Sequence, residues 1–96
     1  MANSAKCTVH VSNERVTVNE WRFAPGANTG WHRHEYDYVI VPIMDGKLRL
    51  LEPGDVTRDA QLQLGIPYFR KAGVEHDVVN PNDGEFAFIE IEINSR

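Results

Sequence analysis

An all-β domain is the fold class that this 96-residue chain predicts, and three observations carry it. Apolar and β-branched residues alternate with polar ones over short stretches, no stretch of useful length has a helical period, and Gly, Pro, Asn and Asp cut the stretches at close intervals. Many short strands joined by tight turns build an antiparallel sandwich or barrel, with little or no helix.

The candidate strands, in order, cover residues 7–11, 14–23, 29–33, 36–43, 47–52, 61–64, 66–70, 74–80 and 86–93. Turn signals separate them: Ser12-Asn13, Pro25-Gly26, Asp45-Gly46, Pro53-Gly54-Asp55, Ala72-Gly73 and Pro81-Asn82-Asp83-Gly84. In the 47–52 strand Leu48 and Leu50 alternate with Lys47 and Arg49, which gives it one buried face. In the last strand Ile89, Ile91 and Ile93 share a face at period two, with Glu90 and Glu92 on the other. The isoleucine face is expected to face the core. Phe86 and Phe88 would then stand with the glutamates toward solvent, where a second subunit or a folded-over terminus would cover them. A homodimer follows as the expectation.

Composition sets the remaining bounds. The chain is 42% hydrophobic and 25% charged, with a net charge of −4, values that suit a packed domain and not a disordered one. Its length fits a single domain, 1–96. Lys and Arg are scattered singly, so no basic stripe exists for nucleic acid. No apolar run approaches the roughly 20 residues that span a bilayer. The amino-terminal Met1-Ala2-Asn3-Ser4-Ala5-Lys6 lacks the apolar centre of a signal peptide. The single cysteine, Cys7, cannot form an internal disulfide, which favours a reducing compartment, the cytoplasm. Cys7 itself reads as a small packed residue.

Chemistry concentrates in the histidines. His32 and His34 are one residue apart in Trp31-His32-Arg33-His34. On a strand that spacing points both imidazoles the same way, about 7 Å apart, so they can converge on one ion. His76 is a further candidate, whereas His10 reads as a surface or packing residue. Arg22 and Arg33 read as solvated outer-face charges. Trp21, Phe23, Trp31, Tyr36, Tyr68 and Phe69 read mainly as core or interface.

The frame around the histidines resembles the two signature motifs of the cupin superfamily, Gly-x5-His-x-His-x3–4-Glu-x6-Gly and Gly-x5-Pro-x-Gly-x2-His-x3-Asn. Gly26, His32, His34 and Gly46 match the first, at about 26–46. Gly65, Gly73, His76 and Asn80 match the second, at about 65–80. The resemblance extends to the short stand-alone bacterial cupins, some labelled for β-alanine degradation. It implies a small jelly-roll β-barrel holding one divalent metal ion (iron, zinc, manganese or nickel) through His32, His34 and His76. Asn80 would orient the site or fix a turn. Two positions depart from the pattern. Lys71 replaces the proline, and the glutamate slot holds Tyr38 or Val39, depending on spacing. Tyr38 is thus the candidate catalytic or hydrogen-bonding residue. Asp37 and Glu35 carry carboxylates but face the wrong way unless a bulge turns one in.

Three neutral imidazoles without a carboxylate leave a dication with its full charge, which favours an anionic ligand. The function this implies is that of a metalloenzyme, a dioxygenase or a lyase, acting on a small anionic metabolite such as an amino or keto acid. The alternatives are a non-catalytic ligand-binding or sensor module, and a structural remnant with an incidental metal site.

Overall fold

A computed structural model of the protein describes residues 3–94 and contains, among them, nine strands and no helix. The strands are β1 (Lys6–Ser12), β2 (Val16–Phe23), β3 (His32–Arg33), β4 (Asp37–Pro42), β5 (Gly46–Glu52), β6 (Val56–Leu62), β7 (Tyr68–Arg70), β8 (Glu75–Val79) and β9 (Phe86–Ile93). They form two antiparallel sheets, one in the order β1-β2-β9-β4-β7 and the other β3-β8-β5-β6. The all-β expectation holds.

Strand limits differ from the expected ones at several ends, although the turn signals hold. Of the stretch 61–64 only Gln61 and Leu62 are in a strand, the longer β6 that starts at Val56, directly after a tight turn that Gly54 and Asp55, both at positive φ (78° and 60°), close behind β5. β2 begins at Val16 and not at residue 14, since the Asn13 side chain accepts from the amides of Arg15 and Val16 and holds that segment as a turn. Only His32 and Arg33 of the stretch 29–33 pair as a strand.

The core lies between the sheets and gathers Phe23, Tyr38, Ile40, Leu48, Leu50, Leu62, Val78, Phe86 and Phe88. Leu48 and Leu50 point inward as their alternation implies. The last strand is turned over relative to the expectation. Phe86, Phe88 and Glu90 are buried, while Ile89, Ile91 and Ile93 are half-buried on the outer face. Both faces of β9 carry apolar residues, so alternation defines two sets without saying which is inside. The bulk of two phenylalanines decides it: Phe86 and Phe88 pack against each other, and Phe88 packs on Phe23, with ring centroids 6.5 and 5.6 Å apart.

Outside, the inter-strand register lines up Val11, Val18, Ile91, Val39 and Phe69 in one row across all five strands of the larger sheet. Cys7 is exposed on the edge strand β1 and not packed. Partial burial of the thiol, then the Glu90 and Glu92 carboxylates, raise its pKa, which keeps it protonated. Trp31 and Phe69 are likewise exposed, so neither is one of the core members of the set read as core or interface. His10 pairs with Glu20 at the surface, and Arg22 with Glu20 and Glu85.

Asn80 is fully buried at the end of β8 and fixes a turn. Its Nδ2 donates to the carbonyls of Phe23 (3.1 Å), Ala24 (3.2 Å) and Gly84 (2.9 Å). Its Oδ1 accepts from the Asn82 amide (2.8 Å) and from Asn82 Nδ2 (2.7 Å).

Candidate metal centre

His32 and His76 are direct partners across the β3–β8 ladder, and His34 follows one alternation later, so all three imidazoles point into the barrel. The loop that delivers His32 is tied to β8. Asp77 accepts from Asn28 Nδ2 (3.2 and 3.0 Å) and from the Gly30 amide (3.0 Å), and Thr29 Oγ1 accepts from the Val78 amide at 3.2 Å. His34 is held through its own backbone. Its amide donates to the Val74 carbonyl (2.8 Å), and its carbonyl accepts from Gly73 (2.7 Å).

The three side chains converge. His34 Nε2 lies 3.0 Å from His32 Nε2 and 3.1 Å from His76 Nε2, and one ligand nitrogen from each residue lies within 4.8 Å of the others. His32 Nδ1 donates to the Gly30 carbonyl at 2.9 Å, which leaves its Nε2 as a lone pair aimed at the cluster. Burial, then the neighbouring His32, lowers His34 to about 4 and His76 to about 3, so both are neutral at pH 7. With His32 Nε2 a bare acceptor, the single hydrogen that His34 Nε2 can carry cannot make full hydrogen bonds to both His32 and His76. A divalent ion among the three Nε2 atoms would relieve that conflict. Two nitrogens bound at about 2.1 Å and right angles stand about 3.0 Å apart, the separation found here. The donor set fits such an ion.

Tyr38 is buried and stacks on the His34 ring, centroids 3.9 Å apart and planes 17° off parallel. Burial raises the phenol's pKa, so it remains protonated and braces the imidazole. Val39, the other residue of the glutamate slot, points outward. Asp37 accepts from the Ala72 amide (2.8 Å) and caps the turn before β8. Glu35 pairs with Arg33 at 3.4 Å on the outside. Neither carboxylate enters the centre.

Three charged residues at the centre escaped sequence reasoning: Glu90, Glu92 and Arg70. Glu90 is buried, and its Oε2 lies 3.8 Å from His34 Nδ1. Arg70, beside Tyr38 on β7, lines the inner cavity. Its positive charge opposes protonation of His34 and His76. The signal for Glu90 and Glu92 was present in their shared parity with Phe86 and Phe88, had that face been read as the inner one. The inner cavity measures about 20 Å³, room for an ion or one water. It adjoins a mouth of about 270 Å³ that His32 and His34 also line.

No protein-family model matches the sequence. The chain is 58% identical over 86 residues to the "Beta-alanine degradation protein BauB" of Pseudomonas aeruginosa, covering 90% of each protein. A solved cupin domain from Bordetella pertussis superposes with a TM-score of 0.95 at 52% identity, over 99% of this chain and 98% of that one. A double-stranded β-helix protein from Klebsiella pneumoniae has the same fold, with a TM-score of 0.78 at 18% identity over 95% of this chain and 77% of that one.

Proposed function

Because the chain belongs to the cupin family, and to the branch that includes the β-alanine degradation protein, we propose that it is a metal-dependent enzyme acting on a small carboxylate-bearing metabolite. The observation that carries this reading is the convergence of three neutral imidazole nitrogens, His32, His34 and His76, with no carboxylate among the groups that would ligate. A divalent ion held there would keep its full positive charge and act as a Lewis acid toward an anionic ligand. The chain's own residues would hold that chemistry in place. The Gly30 carbonyl sets the His32 tautomer, Tyr38 braces His34, and Arg70 adds positive charge beside the inner cavity. The apolar walls Ile40, Leu48, Leu50 and Phe88 would keep bulk water from the reacting atoms.

The homodimer belongs to this reading too, on the face opposite to the one first expected. Its support is the apolar row Val11–Val18–Ile91–Val39–Phe69 on the outside of the larger sheet.

The test is elemental analysis of protein purified without a histidine tag, followed by turnover assays on small amino and keto acids. About one divalent ion per chain is expected, lost in His76→Ala while the far-ultraviolet circular dichroism is retained. Metal-free protein with an intact fold would overturn the metal reading. A metal-loaded protein that binds such acids and converts none would leave it a binding module.

A further inference from the structure

We propose that the mouth of the centre holds an ammonium-binding subsite made of Asn19, Glu90 and Glu92, so that the ligand is a small amino acid read at both ends; this rests on the metal centre taking the carboxylate. These three residues line the mouth of about 270 Å³ together with Trp21, His32 and His34. Glu90 and Glu92 are two apart on β9 and share its inner face.

The hydrogen bonding leaves acceptors over and donors short. Glu90 Oε1 takes both nearby donors, Asn19 Nδ2 at 3.2 Å and Trp21 Nε1 at 3.4 Å. Its Oε2 is left with His34 Nδ1 at 3.8 Å, beyond hydrogen-bond range. The carboxylate can only accept, so it fixes the Asn19 amide with the NH₂ toward Glu90. Asn19 Oδ1 is then a buried acceptor with no donor among the described residues. A buried polar atom without a partner is uncommon and marks a place where a ligand or water belongs.

The charges agree. Glu90 and Glu92 face the mouth, and the one basic side chain lining it among the described residues, Arg33, is paired with Glu35. A primary ammonium brings one positive charge and three N–H donors, which matches an amide oxygen and two carboxylates. The indole of Trp21 lines the same mouth and suits a cation. Because His32 and His34 border this cavity as well, one short molecule can place its carboxylate at the centre and its ammonium at the glutamates.

The experiment uses ¹⁵N-labelled, zinc-loaded protein, titrated with β-alanine and with propionate, which differ only in the ammonium group. The Asn19 side-chain amide and Trp21 indole signals report binding. β-Alanine is expected to bind about tenfold more tightly or better, the worth of one charge-assisted hydrogen bond. Glu92→Gln should narrow that preference to within about threefold, on the same scale. Equal affinities, or an unchanged preference in Glu92→Gln, would overturn the subsite. Failure of the metal reading has a different signature: no zinc is bound, or His76→Ala leaves propionate binding intact. In that event propylammonium titrated into metal-free protein still decides the subsite. Shifts at Asn19 and Trp21 that weaken in Glu92→Gln support it, and their absence overturns it.

Discussion

Replacing Asn80 should damage this protein more than any other single polar change outside the centre. Not all of its partners depend on it equally. Ala24 O also accepts from the Ala27 amide, and Asn82 Nδ2 also donates to Lys47 O. Gly84 O and the Asn82 amide have Asn80 as their side-chain partner at 2.9 and 2.8 Å. Asn80→Ala strands at least these two, at about 1–2 kcal/mol each, and leaves a void in a site with no exposure. The expected loss is about 3 kcal/mol, a large part of the roughly 5–15 kcal/mol typical of a domain. At about 4–8 °C per kcal/mol for a domain of this size, the melting midpoint should fall by about 12–24 °C. Asn80→Asp keeps the shape but turns a carboxylate oxygen toward three carbonyls. It should be worse than alanine at pH 7 and partly recover near pH 4, where the protonated acid donates again. Urea unfolding of metal-free protein, followed by circular dichroism, measures both. A loss below about 1 kcal/mol for alanine, or an aspartate variant as stable as wild type at pH 7, would refute the assignment of Asn80 as the clamp of this turn.

Other perturbations have equally definite outcomes. A Cβ on Gly46 would stand 2.6 and 2.8 Å from two Phe86 ring atoms, so Gly46→Ala should cost about 1–3 kcal/mol by overpacking. The double variant Gly46→Ala/Phe86→Leu should recover part of that in the same urea assay. His34 and His76 titrate at about 4 and about 3 when folded, against 6.5 for the free side chain. As pH falls the unfolded chain therefore takes up these protons first. Metal-free protein should hold this stability above pH 6.5 and lose it as the pH falls, down to about 4 for His34 and about 3 for His76, and His34→Gln should flatten the part between 6.5 and 4 of a thermal-stability profile. Sedimentation should find a dimer that Ile91→Glu converts to monomer; a wild-type monomer at micromolar concentration would remove the outer row from consideration as an interface.

The fold class was legible because turn residues and alternation are local signals, and the nine strands follow from them with shifted ends. The three histidines were legible because His32 and His34 have strand spacing and all three fall in a frame that resembles the two cupin motifs. The orientation of β9 was not. Ile91 and Phe88 both look like core residues on a linear chain, and a carboxylate such as Glu90 reads as solvent-facing until Asn19 and Trp21 are seen across the sheet to accommodate it. The acidic mouth was hidden for the same reason. It is assembled from β2 and β9, whose residues Asn19 and Glu90 are 71 positions apart and become neighbours only through the register of the ladder.

The brevity of β3 has a consequence for how the molecule opens. Two residue pairs join it to β8, at the edge of the smaller sheet, and one of those pairs is His32 with His76. Beyond that ladder the segment is held by the flanking backbone bonds of Thr29 to Val78, His34 to Val74 and Gly73 to His34, and an edge segment so held is a natural place for local unfolding. An ion gripped by both side chains would act as a rivet through that seam. Amide exchange along 30–34 and 74–76 should then be fast in the metal-free protein and slow in the loaded one, while β2 and β9 change little. The part of the barrel that grips the ion would be the part that depends on the ion to stay closed.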